Sequence, residues 1–222
     1  MPHLLPNSPA CFSILPTGPT PLSSIVDHTS ANQPRSEPVT LIGQLRAETR
    51  EIHAELEATL DLERITRSPS DYAQILATFR DLLKPLEDLL SESPIKGDPK
   101  LDLANRLRRH RLLIDLSRFP AIKSRPLLPP WSSLDRAEAT GVLYVLEGST
   151  LGGQVISTAL RNRLGIDETS GASYFHGYGP ETATRWREFL AWANQSLPEH
   201  RYPKAAEAAQ RTFEFFLNAF PR

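Results

Sequence analysis

The chain has 222 residues and a formal charge of -1 at neutral pH, which excludes the basic balance of a protein that coats nucleic acid or an anionic membrane. A single cysteine, Cys11, excludes an intrachain disulfide and a cysteine-rich metal site and fits a reducing, cytoplasmic setting. At 40% hydrophobic residues a core is assured, yet no apolar run is long enough to span a bilayer; even "GVLYVLEGSTLGGQVISTAL" is interrupted by Glu147 and Gln154.

Residues 1–39 hold 8 of the 20 prolines and only three charged residues, Asp27, Arg35 and Glu37, with no sustained period. They read as a disordered N-terminal extension without the basic start of a signal peptide. Residues 40–222 read as one all-α domain, a single compact helical bundle. Thr40 caps a first helix to about Leu60, with Leu45, Ile52, Leu56 and Leu60 on its apolar face. Ser68-Pro69-Ser70 begins a second helix to about Leu90, which Pro85 should kink. Asp98-Pro99 begins a third, to about Leu116, and residues 117–131 form a proline-rich loop. "SSLDRAEA" begins a long helix to about Leu164. After a loop with Gly171, Gly177 and Gly179, Pro180 opens a helix to about Leu197 and Pro203 opens the last, to about Phe220.

The long helix carries an anomaly. "LYVLEGSTLGGQVI" places Gly148, Gly152 and Gly153 in its interior, where each glycine costs about 1 kcal/mol relative to alanine. Gly148 and Gly152, at i and i+4, open a smooth groove on one face, and Gly153 widens it. Close helix packing explains such a groove, and so does a flat ligand lying against the backbone.

The first helix supplies chemistry to set against it. In "LRAETREIHAELEATL", Arg46, Arg50, His53 and Glu57 are spaced to form one stripe beside the apolar face. Taken singly, each reads as an ordinary surface or core residue. Together they suit an iron porphyrin: a neutral imidazole to ligate iron, two guanidinium groups for carboxylates, and a carboxylate to orient the imidazole.

"LRAETREIHAELE" and "LYVLEGSTLGGQVI", in that order and about ninety residues apart, resemble the heme oxygenase family, most closely its bacterial branch associated with bacteriophytochromes. The resemblance covers roughly residues 41–218, and "YFHGYG" and "TRWREFL" sit where that branch has similar segments. It implies heme b, as substrate and cofactor, held between the first helix and a kinked glycine-rich helix. It implies cleavage by O2 to biliverdin, CO and free iron, with electrons from a redox donor such as a ferredoxin or an NADPH-dependent reductase. It further implies a bilin supplied to a bacteriophytochrome. By position His53 matches the iron ligand and Glu57 the acidic residue beside it. Arg46, Arg50 and Arg187 match groups that contact the propionates, and Gly148, Gly152 and Gly153 match the distal glycines. Animal members carry an aspartate after the first distal glycine; here it is Ser149, a hydroxyl that holds water but is no carboxylate.

Two other readings stand beside this one: a non-heme helical enzyme of the same fold, and a heme carrier or sensor without turnover. "RLRRHRLL", residues 106–113, reads as a solvated helix face that could dock an acidic donor. Phe213, Phe215, Phe216 and Phe220 read as bundle core, with one or two walling the ligand pocket.

Overall fold

Thr40 starts the first helix, its hydroxyl accepting the Gly43 N–H at 3.1 Å, one of the four amides that a helix start leaves unpaired. The computed structural model describes residues 40–220, and the expected extension over residues 1–39 lies outside them. Among the described residues the chain forms nine α-helices, two 3-10 turns and no strand. None of those helices is long and apolar enough to cross a membrane.

Helix α1 (Leu41–Thr59) buries Leu41, Ile42, Leu45 and Leu56. A single turn, α2 (Leu62–Ile65), follows, capped by Asp61. Ser68 caps α3 (Pro69–Glu92), and Pro69 occupies the first turn, where its missing N–H costs nothing. Pro85 lies inside α3 without ending it.

The third expected helix, Asp98 to Leu116, is not continuous. The chain forms α4 (Leu103–Arg106) and α5 (Arg109–Leu116) instead. Asp102 sits in the left-handed region at φ 55°, and a buried carboxylate from α3 makes a second helix start. Glu87 Oε1 accepts the backbone N–H of Arg108 at 2.7 Å and of Arg109 at 3.0 Å. A cap that comes from 21 residues upstream leaves no local signature.

Helix α6 (Arg136–Leu164) opens on a reciprocal capping box between Asp135 and Glu138 and closes at Gly165, whose φ of 66° suits glycine. The next turn of helix, α7 (Ser173–His176), has no counterpart in the sequence reading. It is held by Asp115, which accepts from Ser173 N, Ser173 Oγ and Tyr174 N at 2.7–3.0 Å. Pro180 falls in a 3-10 turn, so α8 begins two residues later (Thr182–Ser196). Helix α9 (Tyr202–Ala219) completes the bundle.

Helix α9 is the common floor, packed along both α6 and α1. Its approach to α6 is close because Gly141 has no side chain: a Cβ there would lie 2.1 Å from the Ala205 carbonyl oxygen. Phe213 and Phe216 project from α9 into the space that remains between α1 and α6.

Gly141→Ala should therefore lower stability by about 1–3 kcal/mol, since backbone must move to admit the methyl group. Urea denaturation measures it; a midpoint equal to the parent's would mean that the α6–α9 crossing is not set by this contact.

Candidate functional site

Between α1 and α6 lies a cavity of about 520 Å3, within the range of roughly 300–1,000 Å3 usual for small-molecule sites. Arg46, Arg50, His53 and Glu57 all line it from α1, and Gly148, Ser149, Gly152 and Gly153 line it from α6. The two sequence motifs, some ninety residues apart, thus face each other.

His53 is half-buried, its ring edge-on to Phe213 at 5.4 Å between centroids. Its Nδ1 lies 3.3 Å from Glu57 Oε1. Burial lowers the His53 pKa below the ordinary histidine value and raises Glu57 to about 7. Both groups lean toward neutral forms, so their contact is a hydrogen bond more than an ion pair. With the Nδ1 hydrogen directed to Glu57, the Nε2 lone pair is left for a metal.

The glycines of α6 differ in what surrounds them. A Cβ on Gly148 would meet only the Trp186 ring, at 3.7 Å, an ordinary contact. A Cβ on Gly153 would meet the Phe175 carbonyl oxygen at 2.8 Å, so this glycine seats α7 against α6. Ser149 donates to the Leu146 carbonyl at 2.7 Å and stays half-buried on the cavity wall.

Arg187, expected at the site, is not there. It is exposed and turned onto its own helix, with Nη2 on Thr184 Oγ1 at 3.0 Å and Nε on the Ala183 carbonyl at 3.3 Å. From α8 the cavity receives Trp186 instead. The preceding-turn cluster 106–113 is also not a solvated face: Arg106 and Arg108 are 4% and 5% exposed. Arg108 lines the cavity, and its Nη2 donates to the Leu146 carbonyl at 3.0 Å. Arg106 forms a buried ion pair with Glu147, whose other carboxylate oxygen accepts the Tyr178 hydroxyl at 2.7 Å.

Three cavity-lining residues carry a buried nitrogen with no hydrogen-bond partner: Arg46 Nε, Arg108 Nε and Trp186 Nε1. Unpaired buried donors are uncommon in folded proteins, and their gathering on one cavity fits a polar-edged occupant. Tyr144 adds a hydroxyl whose pKa burial raises, offset in part by Thr49 and by the Arg46 charge. None of Arg108, Tyr144 or Trp186 stood out in the sequence. One arginine among the four of "RLRRHRLL", or a tryptophan in an amphipathic helix, carries no spacing signal of its own.

The sequence profile of the family described as heme oxygenase matches residues 131–222. A protein named heme oxygenase from Xanthomonas campestris pv. campestris (strain 8004) is 34% identical over 128 residues, 57% of this chain and 73% of that protein. Among solved structures, the NO- and CO-bound heme oxygenase of Neisseria meningitidis superposes with a TM-score of 0.65 at 19% identity, over 82% of this chain and 90% of that one. Heme oxygenase 2 of Chlamydomonas reinhardtii, determined without heme, also gives 0.65, at 17% identity over 82% and 98%. At these identities the two structures establish the shared fold.

The raised Glu57 pKa has a consequence for stability. The folded state holds the proton up to about pH 7, whereas the unfolded chain releases it near 4.5. The contribution is therefore complete below about 4.5 and is lost as pH rises through 7. Glu57→Gln should match the parent near pH 4.5 and be the more stable of the two at pH 8, in urea denaturation of the ligand-free proteins. His53 touches Glu57 through Nδ1, so the comparison reads the pair together. An equal difference at the two pH values would show that Glu57 is not held neutral by burial.

Proposed function

The chain belongs to the heme oxygenase family, an enzyme family of heme degradation, and we propose that it opens the heme ring with O2 and reducing electrons to give biliverdin, CO and free iron. The observation that carries this reading is the cavity itself, which sets the His53–Glu57 pair on one wall against side-chain-free backbone at Gly148 on the other. Among the described residues no cluster of three or more His, Cys, Asp or Glu could hold a bare metal ion. A lone imidazole suits a metal that arrives already held by a macrocycle.

Bound heme supplies both the iron that activates O2 and the ring that is opened. The chain's part is placement. His53 would hold the iron through Nε2, with Glu57 at Nδ1 fixing the orientation of the ring. Arg46, half-buried, and Arg50, exposed, line the cavity from α1, where their guanidinium groups would pair with the propionates. Phe213 and Phe216 close the apolar floor. Gly148 leaves the α6 face of the cavity free of side chain, space that a bound ring would use, and the Ser149 hydroxyl is held to a carbonyl where it can order water. Positioning of reacting groups can be worth roughly 7–11 kcal/mol of barrier, against which a glycine's helix cost of about 1 kcal/mol is small. Electrons come from an external donor such as a ferredoxin or an NADPH-dependent reductase, and the bilin serves as chromophore for a bacteriophytochrome.

Hemin supplied with ascorbate or a ferredoxin system in air, followed by absorbance and product chromatography, tests the reading. Loss of the heme band with appearance of biliverdin is expected. Stable hemin binding with no ring opening would instead make the protein a carrier or sensor.

Two substitutions separate roles. His53→Ala should lose the histidine-ligated heme spectrum and turnover, with partial recovery on adding imidazole; an unchanged iron–histidine Raman band would remove His53 from the iron. Gly148→Ala fits the ligand-free fold and should stabilise it by about 0.4–1 kcal/mol. The same methyl group should impair ring opening while hemin still binds, so melting temperature and biliverdin yield move in opposite directions. Full yield in that variant would assign Gly148 to packing alone.

A further inference from the structure

Two of the chain's three tryptophans, Trp186 and Trp192, stand at i and i+6 on α8, with Phe189 midway between them. Trp186 borders the cavity, its ring 3.7 Å from where a Gly148 Cβ would lie. It is stacked on Phe189, 5.6 Å between centroids with the planes 22° apart, and Phe189 meets Trp192 at 5.9 Å. The rings run in contact from the cavity toward the other end of α8, where Trp192 Nε1 donates to Asp98 Oδ2 at 3.1 Å. Packing explains the apolar area of such a series. It does not explain why the two ends differ.

Both indoles are buried, yet their N–H groups are treated oppositely. Trp186 Nε1 has no acceptor in the protein, whereas Trp192 Nε1 meets a carboxylate. Burial opposes ionisation of Asp98, but hydrogen bonds from Trp192, the Lys100 amide and Arg136 hold its pKa below the ordinary aspartate value. Arg136 also lies over the Trp192 ring, 5.9 Å from guanidinium carbon to centroid. A cation there disfavours a lasting positive charge on the ring, so an oxidised Trp192 persists as the neutral radical with its proton on Asp98. Tyr144, 5.7 Å from Trp186, is no such end point: Thr49 and Arg46 flank its hydroxyl, and neither is a base. The described residues contain neither cysteine nor methionine, which leaves tryptophan and tyrosine as the side chains that lose an electron most readily.

We propose that Trp186, Phe189 and Trp192 form an electron relay that draws oxidising equivalents out of the cavity when peroxide reacts at the bound heme without opening the ring. The proposal rests on the heme reading, because the oxidant arises at the heme. Peroxide takes two electrons and two protons and leaves as two waters. Each electron that the relay supplies is lost by Trp186 and replaced from Trp192 across Phe189, and the Trp192 N–H proton moves to Asp98. A small one-electron reductant such as ascorbate restores the indole, with the proton returning from Asp98; the protons of the waters come from solvent. The relay keeps oxidation off the residues that line the cavity.

The test treats the hemin-loaded parent with hydrogen peroxide, without added reductant, and reads electron paramagnetic resonance and peptide mass spectra. A tryptophanyl radical and oxidation of Trp192 are expected, both absent when hemin is left out. Trp131 is the internal control: it is 9% exposed against 7% for Trp192, so an oxidant diffusing through solvent reaches the two alike, but it has no ring contact with the series. Trp131 should stay intact. Trp192→Phe should keep the histidine-ligated hemin spectrum, lose the lasting radical and shift oxidation back to Trp186. Asp98→Asn should also lose the lasting radical with both indoles in place, and the parent's own oxidation map decides the matter if neither variant folds. Equal oxidation of Trp131 and Trp192, oxidation that stops at Trp186 in the parent, or an unchanged radical in Trp192→Phe overturns the relay and leaves the heme reading standing. A parent that gives no histidine-ligated hemin spectrum overturns both.

Discussion

The buried ion pair between Arg106 and Glu147 is the constraint around which the rest is arranged. Their side chains are 2% and 1% exposed, and the groups around them satisfy what the pair leaves over. Tyr178 donates to Glu147 Oε1, Arg106 Nε donates to the Leu101 carbonyl at 2.7 Å, and Nη1 also reaches the Arg185 carbonyl at 3.2 Å. Burying two charges costs several kcal/mol, and removing either partner strands the other at about 3–5 kcal/mol. Four segments meet at this point: α4, α6, the turn after α7, and α8. Glu147 directly precedes Gly148, so the helix is clamped from behind at the place where its front face carries no side chain. An open slot beside a glycine would otherwise be free to collapse, since packed interiors tolerate few voids.

The glycines of α6 divide their work according to what each faces. Gly141 admits the Ala205 carbonyl, and Gly153 admits the Phe175 carbonyl. These two set the distances from α6 to α9 and to α7. Gly148 admits nothing from the protein except the edge of Trp186 at van der Waals distance. This glycine costs the helix about 1 kcal/mol, repays nothing in packing against the protein, and borders the cavity. Trp186 is in turn stacked on Phe189, 5.6 Å between centroids, so the ring that bounds the slot is itself held.

What could be read from the sequence followed from periodicity and caps. Thr40, Ser68 and Asp135 each start a helix where the sequence places one, because an N-cap lies within three residues of the amide it serves. The Arg46–Glu57 stripe and the Gly148–Gly153 groove were legible for the same reason: residues on one face of one helix are fixed by spacing alone. What was not legible comes from distant parts of the chain. Glu87 starts α5 across 21 residues and so splits a helix expected to run from Asp98. Arg106 and Arg108 sit in a run of basic residues that looks solvated, and only the buried Glu147, 41 positions from Arg106, shows why that run turns inward. Arg187 failed in the opposite sense. Its place in the chain agreed with a family position, but its direction on α8 points to solvent, while its neighbour Trp186 faces the cavity.

The two walls of the cavity are electrically unlike, and the difference follows from where each carboxylate stands. On α1 the acid is at the cavity, and burial drives both it and His53 toward neutral forms. That pair offers a lone pair rather than a charge, and the charge on that wall is carried by Arg46 and Arg50. On α6 the acids are set back: Glu147 is spent on Arg106, Glu87 on the amides of α5, and Asp115 on those of α7. Each fixes a backbone or a partner, and Glu87, which accepts the Arg108 backbone N–H, also acts through its charge on the Arg108 guanidinium. The buried Arg108 guanidinium lies in a wall where charges act more strongly than in water, that of Glu87 among them. The α1 wall thus sets the cations Arg46 and Arg50 beside a near-neutral imidazole and carboxyl, whereas the charges behind the α6 wall are compensated within the protein.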